Sequence, residues 1–205
     1  MSVTAFVGLW GSGKTLALTE ACIGAEADGF RVASNFGFVG GLEFATLGEL
    51  LQLLARKPRR DLLYVALDEA GMLFPAREFS KWPPALNVLM QQGRKLGVSL
   101  GYTSQSFDFV DANLRRVTGV VVKCSGFGSK LVSAKGVRPR EYRPLWFMRT
   151  HYDAQGYGLA RTRPLKRQLY VPFRQETADR YDTWHLIDAC QQVLDLQAGE
   201  VGAST

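Results

Sequence analysis

The octapeptide Gly8-Leu9-Trp10-Gly11-Ser12-Gly13-Lys14-Thr15 constrains this chain more than any other stretch of it. It fits G-x-x-x-x-G-K-[ST], the Walker A pattern, at every fixed position. A short apolar run, Val3 to Val7, precedes it, and Lys14 to Ala27 follows with Leu16, Ala17, Cys22 and Ile23 at helical spacing. Strand, glycine-rich turn and helix are the setting in which backbone N–H groups wrap a phosphate. A Cβ would obstruct that approach, and the helix turns its positive end to the anion. Gly8, Gly11, Ser12, Gly13, Lys14 and Thr15 are therefore the candidate nucleotide-binding set. Lys14 supplies charge to the β- and γ-phosphates, and the Thr15 hydroxyl is a candidate Mg²⁺ ligand. ATP and Mg²⁺ are the expected substrate and cofactor.

The second half of such a site is an acidic pair closing a buried strand. Leu62 to Leu67 is a continuous apolar run, the pattern of a strand covered on both faces, and Asp68-Glu69 follows at its carboxyl end. Asp68 is the candidate metal ligand, and Glu69 the candidate base that orients and polarises an attacking water. An acid beside the metal-binding Asp favours hydrolysis over transfer to a small-molecule acceptor. Gln105 closes the next candidate strand, where an amide reaches the γ-phosphate or the water; a turn glutamine is the plainer reading. Arg94 or Arg115 is the candidate to act in trans on a neighbouring subunit's nucleotide, each being otherwise a surface arginine.

Around these motifs the first two thirds of the chain alternate strand-like and helix-like segments. After Val3 to Val7 and Lys14 to Ala27 come a strand at Arg31 to Asn35, a helix at Leu47 to Arg56 and the strand at Leu62 to Leu67. A helix at Pro84 to Leu96, a strand at Val98 to Thr103, a short helix at Asp111 to Arg116 and a β-rich run at Gly119 to Cys124 follow. The alternation predicts an α/β fold, a mostly parallel central sheet flanked by helices. Beyond Ser125 the order changes, with short strands expected at Leu145 to Tyr152, Gly158 to Arg161 and Gln168 to Val171, and a helix at Thr183 to Leu196. The expected organisation is a P-loop core over residues 1–125, a small antiparallel β appendage and C-terminal helix over 126–197, and a loose tail over 198–205.

With 46% apolar and 21% charged residues the composition is that of a globular chain, and the net charge of +6 makes a polyanionic partner plausible. Cys22, Cys124 and Cys190 have no metal-type spacing and are expected to be reduced. His151 and His185 are isolated and read as surface or packing residues. The phosphate loop begins at Gly8, so no signal peptide is expected, and no apolar run is long enough to span a bilayer.

Taken in order, the motifs resemble a known group. Gly8 to Thr15 is followed by Asn35, Leu67-Asp68-Glu69-Ala70-Gly71, Phe74-Pro75-Ala76-Arg77, Gly93-Arg94-Lys95-Leu96-Gly97-Val98, Tyr102-Thr103-Ser104-Gln105 and Asn113-Leu114-Arg115. This resembles the zonular-occludens-toxin-like (Zot-like) ATPases of filamentous phages, within the wider FtsK–HerA group of DNA-pumping ATPases. The resemblance covers Ser2 to Cys124. It implies a RecA-like core with an additional strand between the two nucleotide-binding strands, a homo-oligomeric ring, expected to be a hexamer, and DNA as cargo. It also matches Gln105 to the sensor glutamine, Asp68 and Glu69 to the catalytic acids, and Arg94 and Arg115 to positions where the group carries arginines.

Filamentous-phage assembly ATPases carry a membrane-spanning segment after this domain, and no such segment is visible here. The sequence is closer in character to a viral genome-packaging ATPase acting in the host cytoplasm or at a virion vertex, with capsid or membrane-vertex proteins as further partners. The alternative is an export ATPase that borrows a separate membrane partner. A nucleoside or small-molecule kinase, which needs an acceptor pocket and a lid, is disfavoured by the Asp-Glu pair.

Between Val137 and Arg174 the chain carries Arg138, Arg140, Arg143, Arg149, Arg161, Arg163, Lys166, Arg167 and Arg174 against only Glu141 and Asp153, with aromatics interleaved. Arg138, Arg140, Arg143, Arg161, Arg163, Lys166 and Arg167 are the candidate DNA contacts, suited to sequence-independent grip on phosphates. A subunit interface, or a solvated hairpin whose aromatics pack on the sheet, is the other reading. Trp146 and Phe147 are expected to be buried in either case.

Overall fold

The computed structural model describes residues 2–73, 92–93, 95–127, 146–159, 162–172 and 174–181. Its strands are β1 (Val3–Val7), β2 (Arg31–Ser34), β3 (Leu42–Glu43), β4 (Leu63–Leu67), β5 (Val98–Ser104), β6 (Val120–Phe127), β7 (Trp146–Asp153) and β8 (Lys166–Pro172). Its helices are α1 (Lys14–Ala27), α2 (Leu47–Arg56), α3 (Ala70–Leu73), α4 (Ala112–Val117) and α5 (Gln175–Ala178). All eight strands form one sheet in the order β3-β2-β4-β5-β1-β6-β7-β8. From β3 to β6 every pairing is parallel, and β6-β7-β8 continue the sheet antiparallel. The strand β5 lies between β4 and β1, so the expected additional strand separates the strand before Asp68 from the strand before the phosphate loop.

The apolar runs occupy the middle of this sheet because only there are both faces covered. Every residue of β4 and of β5 is buried. Alternate positions feed two cores. Ala5, Val7, Val65, Leu67 and Tyr102 point to one side, with Leu50 of α2 and Leu114 of α4. Phe6, Tyr64, Ala66, Val122 and Cys124 point to the other, against Leu18 and Cys22 of α1. Each large apolar side chain taken from water contributes about 1.5–3 kcal/mol, so these central strands anchor the fold. Close approach of α1 depends on a missing side chain at Gly101, where a Cβ would lie 2.1 Å from the Tyr64 hydroxyl and 2.8 Å from Leu18 Cδ1.

Helix α2 starts at a reciprocal cap. Glu49 N–H donates to Thr46 Oγ1 at 3.2 Å, and the Glu49 carboxylate accepts from Ala45 N–H at 2.7 Å and from Thr46 N–H at 3.4 Å.

Most expected elements appear within one or two residues of their sequence limits. The strand expected at Gly158 to Arg161 does not form over its described part. Residues 154–158 are a turn, with Gly158 at φ 88°, and Ala160 and Arg161 lie outside the described residues. The helix expected at Pro84 to Leu96 is described only at its end, where Leu96 N–H bonds back to Gln92 O at 3.1 Å. The helix at Thr183 to Leu196 and the tail from Ala198 lie outside the described residues. Trp146 and Phe147 part company: Phe147 is buried, and Trp146 is 44% exposed. Neighbouring residues of a strand face opposite sides of the sheet, so Phe147 turns towards the phosphate loop and α1 while Trp146, at the start of β7, opens to water. Among the described residues no helix is long and apolar enough to cross a membrane.

Candidate functional site

Parallel register brings the candidate residues to one edge of the sheet. Val7 pairs with Ser104 and Leu67 with Tyr102, so β1, β4 and β5 end side by side. The phosphate loop leaves β1, Asp68 and Glu69 leave β4, and half-buried Gln105 leaves β5. Open α/β sheets bind ligands at this carboxyl edge.

The loop is shaped by its surroundings as well as by its own glycines. Gly13, at φ 79°, is the N-cap of α1, and a Cβ on it would lie 2.4 Å from Phe147 Cε1. At Gly8 a Cβ would lie 2.4 Å from the Cys124 carbonyl oxygen and 2.6 Å from Ser12 Oγ. Ser12 N–H donates to Leu9 O at 3.2 Å, and Lys14 Nζ donates to the same carbonyl at 3.2 Å. Lys14 is only 7% exposed, and Ser12 Oγ is buried with no hydrogen-bond partner among the described residues. A buried ammonium, an orphaned hydroxyl and a cradle of glycines together fit a phosphate.

Residues 53 apart in sequence meet beside the loop. The Thr15 hydroxyl donates to both carboxylate oxygens of Asp68, at 3.2 Å and 3.1 Å. Hydroxyl and carboxylate are the hard oxygen donors that magnesium takes alongside phosphate and water, so Thr15 and Asp68 fit that ion. Burial pushes the Asp68 carboxyl up from its ordinary value, opposed by hydrogen bonds from Thr103 and Thr15 and by the Lys14 ammonium. Glu69 is also pushed up, chiefly by burial, with Lys14 pulling it down and Asp68 pushing it further up. A carboxylate raised in this way is a better proton acceptor than a solvated one.

Two residues that carried no assigned role in the sequence reading hold the acids in place. Asp68 N–H donates to Asn35 Oδ1 at 2.7 Å, and Asn35 Nδ2 donates to Asp68 O at 3.0 Å. Thr103 Oγ1 accepts from Glu69 N–H at 2.8 Å and donates to Asp68 Oδ1 at 2.5 Å. The available signal was a buried Thr near the carboxyl end of β5 and an Asn just past the end of β2.

Arg115, on α4, pairs with exposed Asp108 at 3.1 Å, and its Nε is buried with no partner among the described residues. Arg94 lies outside the described residues, as do Arg138, Arg140, Arg143 and Arg161. Arg163, Lys166 and Arg167 are exposed, the last two on β8 opposite His151 and Thr150. Arg149, in the same basic stretch but not among the candidate DNA contacts, faces inward. It is 7% exposed and ion-paired with Glu20 of α1, because its position on β7 faces that helix. His151, half-buried, lies 3.5 Å from Gln168 Oε1, and burial lowers its pKa.

The architecture matches solved structures over 84–88% of the chain. The N-terminal domain of zonular occludens toxin from Neisseria meningitidis superposes with a TM-score of 0.59 at 16% identity, over 88% of this chain and 98% of that one. The genome packaging NTPase from Sulfolobus turreted icosahedral virus 2, in complex with ATP-gammaS, gives 0.55 at 14% identity, over 84% and 98%. The fold is that of a P-loop NTPase. The DNA-packaging ATPase from Sulfolobus turreted icosahedral virus shares the same P-loop fold, with a TM-score of 0.55 at 11% identity over 84% and 98%. No protein-family model and no curated protein matches the chain.

Proposed function

We propose that this P-loop protein hydrolyses ATP with Mg²⁺ and couples hydrolysis to the movement of DNA, packaging a viral genome into a capsid. The observation that carries the hydrolytic half is the meeting of the Thr15 hydroxyl with the Asp68 carboxylate at 3.1–3.2 Å, beside Lys14 and Glu69. Lys14 and the loop N–H groups bind the β- and γ-phosphates, while Thr15 and Asp68 hold the metal. Bound magnesium would neutralise phosphate charge. Glu69 accepts a proton from water as the water oxygen bonds to the γ-phosphorus and the bond to the β-bridging oxygen breaks. Gln105, at the same edge, contacts the γ-phosphate or that water.

Support for the DNA half comes from fold and charge. The fold is shared with two viral packaging enzymes, the net charge is +6, and exposed Arg163, Lys166 and Arg167 lie on or beside the last strand. Arg138, Arg140, Arg143 and Arg161 extend the basic stretch in sequence. In this reading the protein works as a homo-oligomeric ring, a hexamer, in which Arg94 or Arg115 reaches a neighbour's nucleotide, and capsid or vertex proteins anchor it.

The test is the ATPase rate with duplex DNA, single-stranded DNA or neither, across a salt series, together with the oligomeric state in nucleotide. DNA stimulation that fades with salt supports the reading. Hydrolysis indifferent to DNA at low salt, in a protein that stays monomeric with nucleotide, refutes the motor.

A further inference from the structure

The turn that carries the two acids is not one that its own residues prefer. β4 ends at Leu67, and two positions later Glu69 stands at φ 47°, the only non-glycine residue with positive φ among those described. A side chain in this region crowds its own backbone and persists only where the surroundings impose it. Here two buried polar side chains grip the turn from opposite sides. Asn35 is 4% exposed, and its amide meets both main-chain polar groups of Asp68, accepting at 2.7 Å and donating at 3.0 Å. Only a side chain with an acceptor and a donor at one end does both. Thr103, fully buried in β5, spans Glu69 and Asp68 with one hydroxyl, accepting from the Glu69 N–H at 2.8 Å and donating to Asp68 Oδ1 at 2.5 Å.

We infer that Asn35 and Thr103 clamp the Asp68–Glu69 turn in its left-handed conformation and are thereby positioning residues for the water-activating carboxylate. The inference rests on the hydrolytic reading proposed above for what Glu69 does, though the clamp itself is a matter of conformation. The phosphate loop is carried separately, by β1 and α1. Loosening the clamp therefore moves Glu69, and Asp68 with it, and leaves the phosphate loop in place. A purely structural role for the same bonds lowers stability without touching turnover per folded molecule.

The experiment has two arms. In the first, kcat for ATP at saturating magnesium and the Kd of metal-free ADP are measured for Thr103→Val, Thr103→Ser and Asn35→Ala. Thr103→Val is expected to lose about 10- to 100-fold in kcat, the scale of a misplaced reacting group, with the Kd of metal-free ADP within about threefold of the parent. Thr103→Ser, which keeps the hydroxyl, recovers most of that loss. Unchanged kcat in both Thr103→Val and Asn35→Ala overturns the proposal.

The second arm needs no hydrolysis. Glycine tolerates positive φ and alanine does not, so Glu69→Gly is expected to melt about 2–4 °C above Glu69→Ala in the parent. In the Thr103→Val background the turn relaxes and that gap falls below about 1 °C; should Thr103→Val not fold, Asn35→Ala serves as the background. An equal gap in both backgrounds overturns the clamp, whatever the protein hydrolyses. A parent that hydrolyses nothing but shows the gap closing sinks the proposed function and leaves the clamp standing.

Discussion

Replacing Gly13 with alanine tests how the phosphate loop is built. Two separate costs follow from the structure. The first is conformational: at φ 79° a Cβ meets its own backbone, which costs about 1–2 kcal/mol. The second is packing: the added carbon would lie 2.4 Å from Phe147 Cε1 and 2.5 Å from Cδ1, far inside van der Waals contact. Phe147 is 3% exposed on a sheet strand and cannot simply swing away, so overpacking adds about 1–3 kcal/mol. The total, about 2–5 kcal/mol, corresponds to a fall in Tm of about 4–20 °C for a chain of this size. Urea unfolding followed by circular dichroism gives the free energy, and a companion series in Phe147→Val separates the two terms. Valine lacks the Cδ1 and Cε1 atoms, so Gly13→Ala should cost only the conformational part, about 1–2 kcal/mol, in that background. A cost in Phe147→Val equal to that in the parent would refute the packing argument. A cost below about 0.5 kcal/mol in the parent, within the range of an ordinary surface change, would refute both terms.

Three further outcomes are expected. Glu69→Gln should cut ATP hydrolysis about 10²- to 10⁴-fold while the Kd of Mg·ADP stays within about twofold, as steady-state kinetics and calorimetry will report. Burial pushes the Cys22 and Cys124 thiols up to about 12, so iodoacetamide at pH 8 should leave both unmodified in the native protein and label both in urea, as read by peptide mass mapping. Arg149→Met should cost about 1–3 kcal/mol of unfolding free energy, because it strands the partly buried Glu20 carboxylate. Arg149→Met with Glu20→Met should recover most of that loss in the same denaturant titration.

The site divides by how far its contacts reach along the chain. The phosphate loop was legible as a unit because eight consecutive residues contain its glycines, its lysine and its hydroxyl, and the flanking periodicities name the strand and helix it joins. The apolar run before Asp68 was legible for a similar reason, since a strand buried on both faces has no polar positions to spare. Strand β7 hides its faces. Aromatic content alone gives burial to both Trp146 and Phe147, and only the direction of the strand decides that Phe147 faces α1 and Trp146 faces solvent. The ion pair of Arg149 was hidden for the same reason: in a run of arginines nothing local marks the one whose position on β7 meets Glu20.

What the order of amino acids determined by itself is the local chemistry: a loop that fits phosphate, two acids closing an apolar strand, and the α/β alternation around them. Tertiary structure decided which of these meet. Parallel register between β4 and β5 sets Asp68 beside Thr103, the placement of β2 brings Asn35 to the Asp68 main chain, and the antiparallel return of β7 lays Phe147 against Gly13. Local patterns are set by backbone sterics and period, which a few neighbouring residues suffice to express. Partners separated by 33, 35 or 53 positions are chosen by strand order and register, which only the packing of the whole sheet selects.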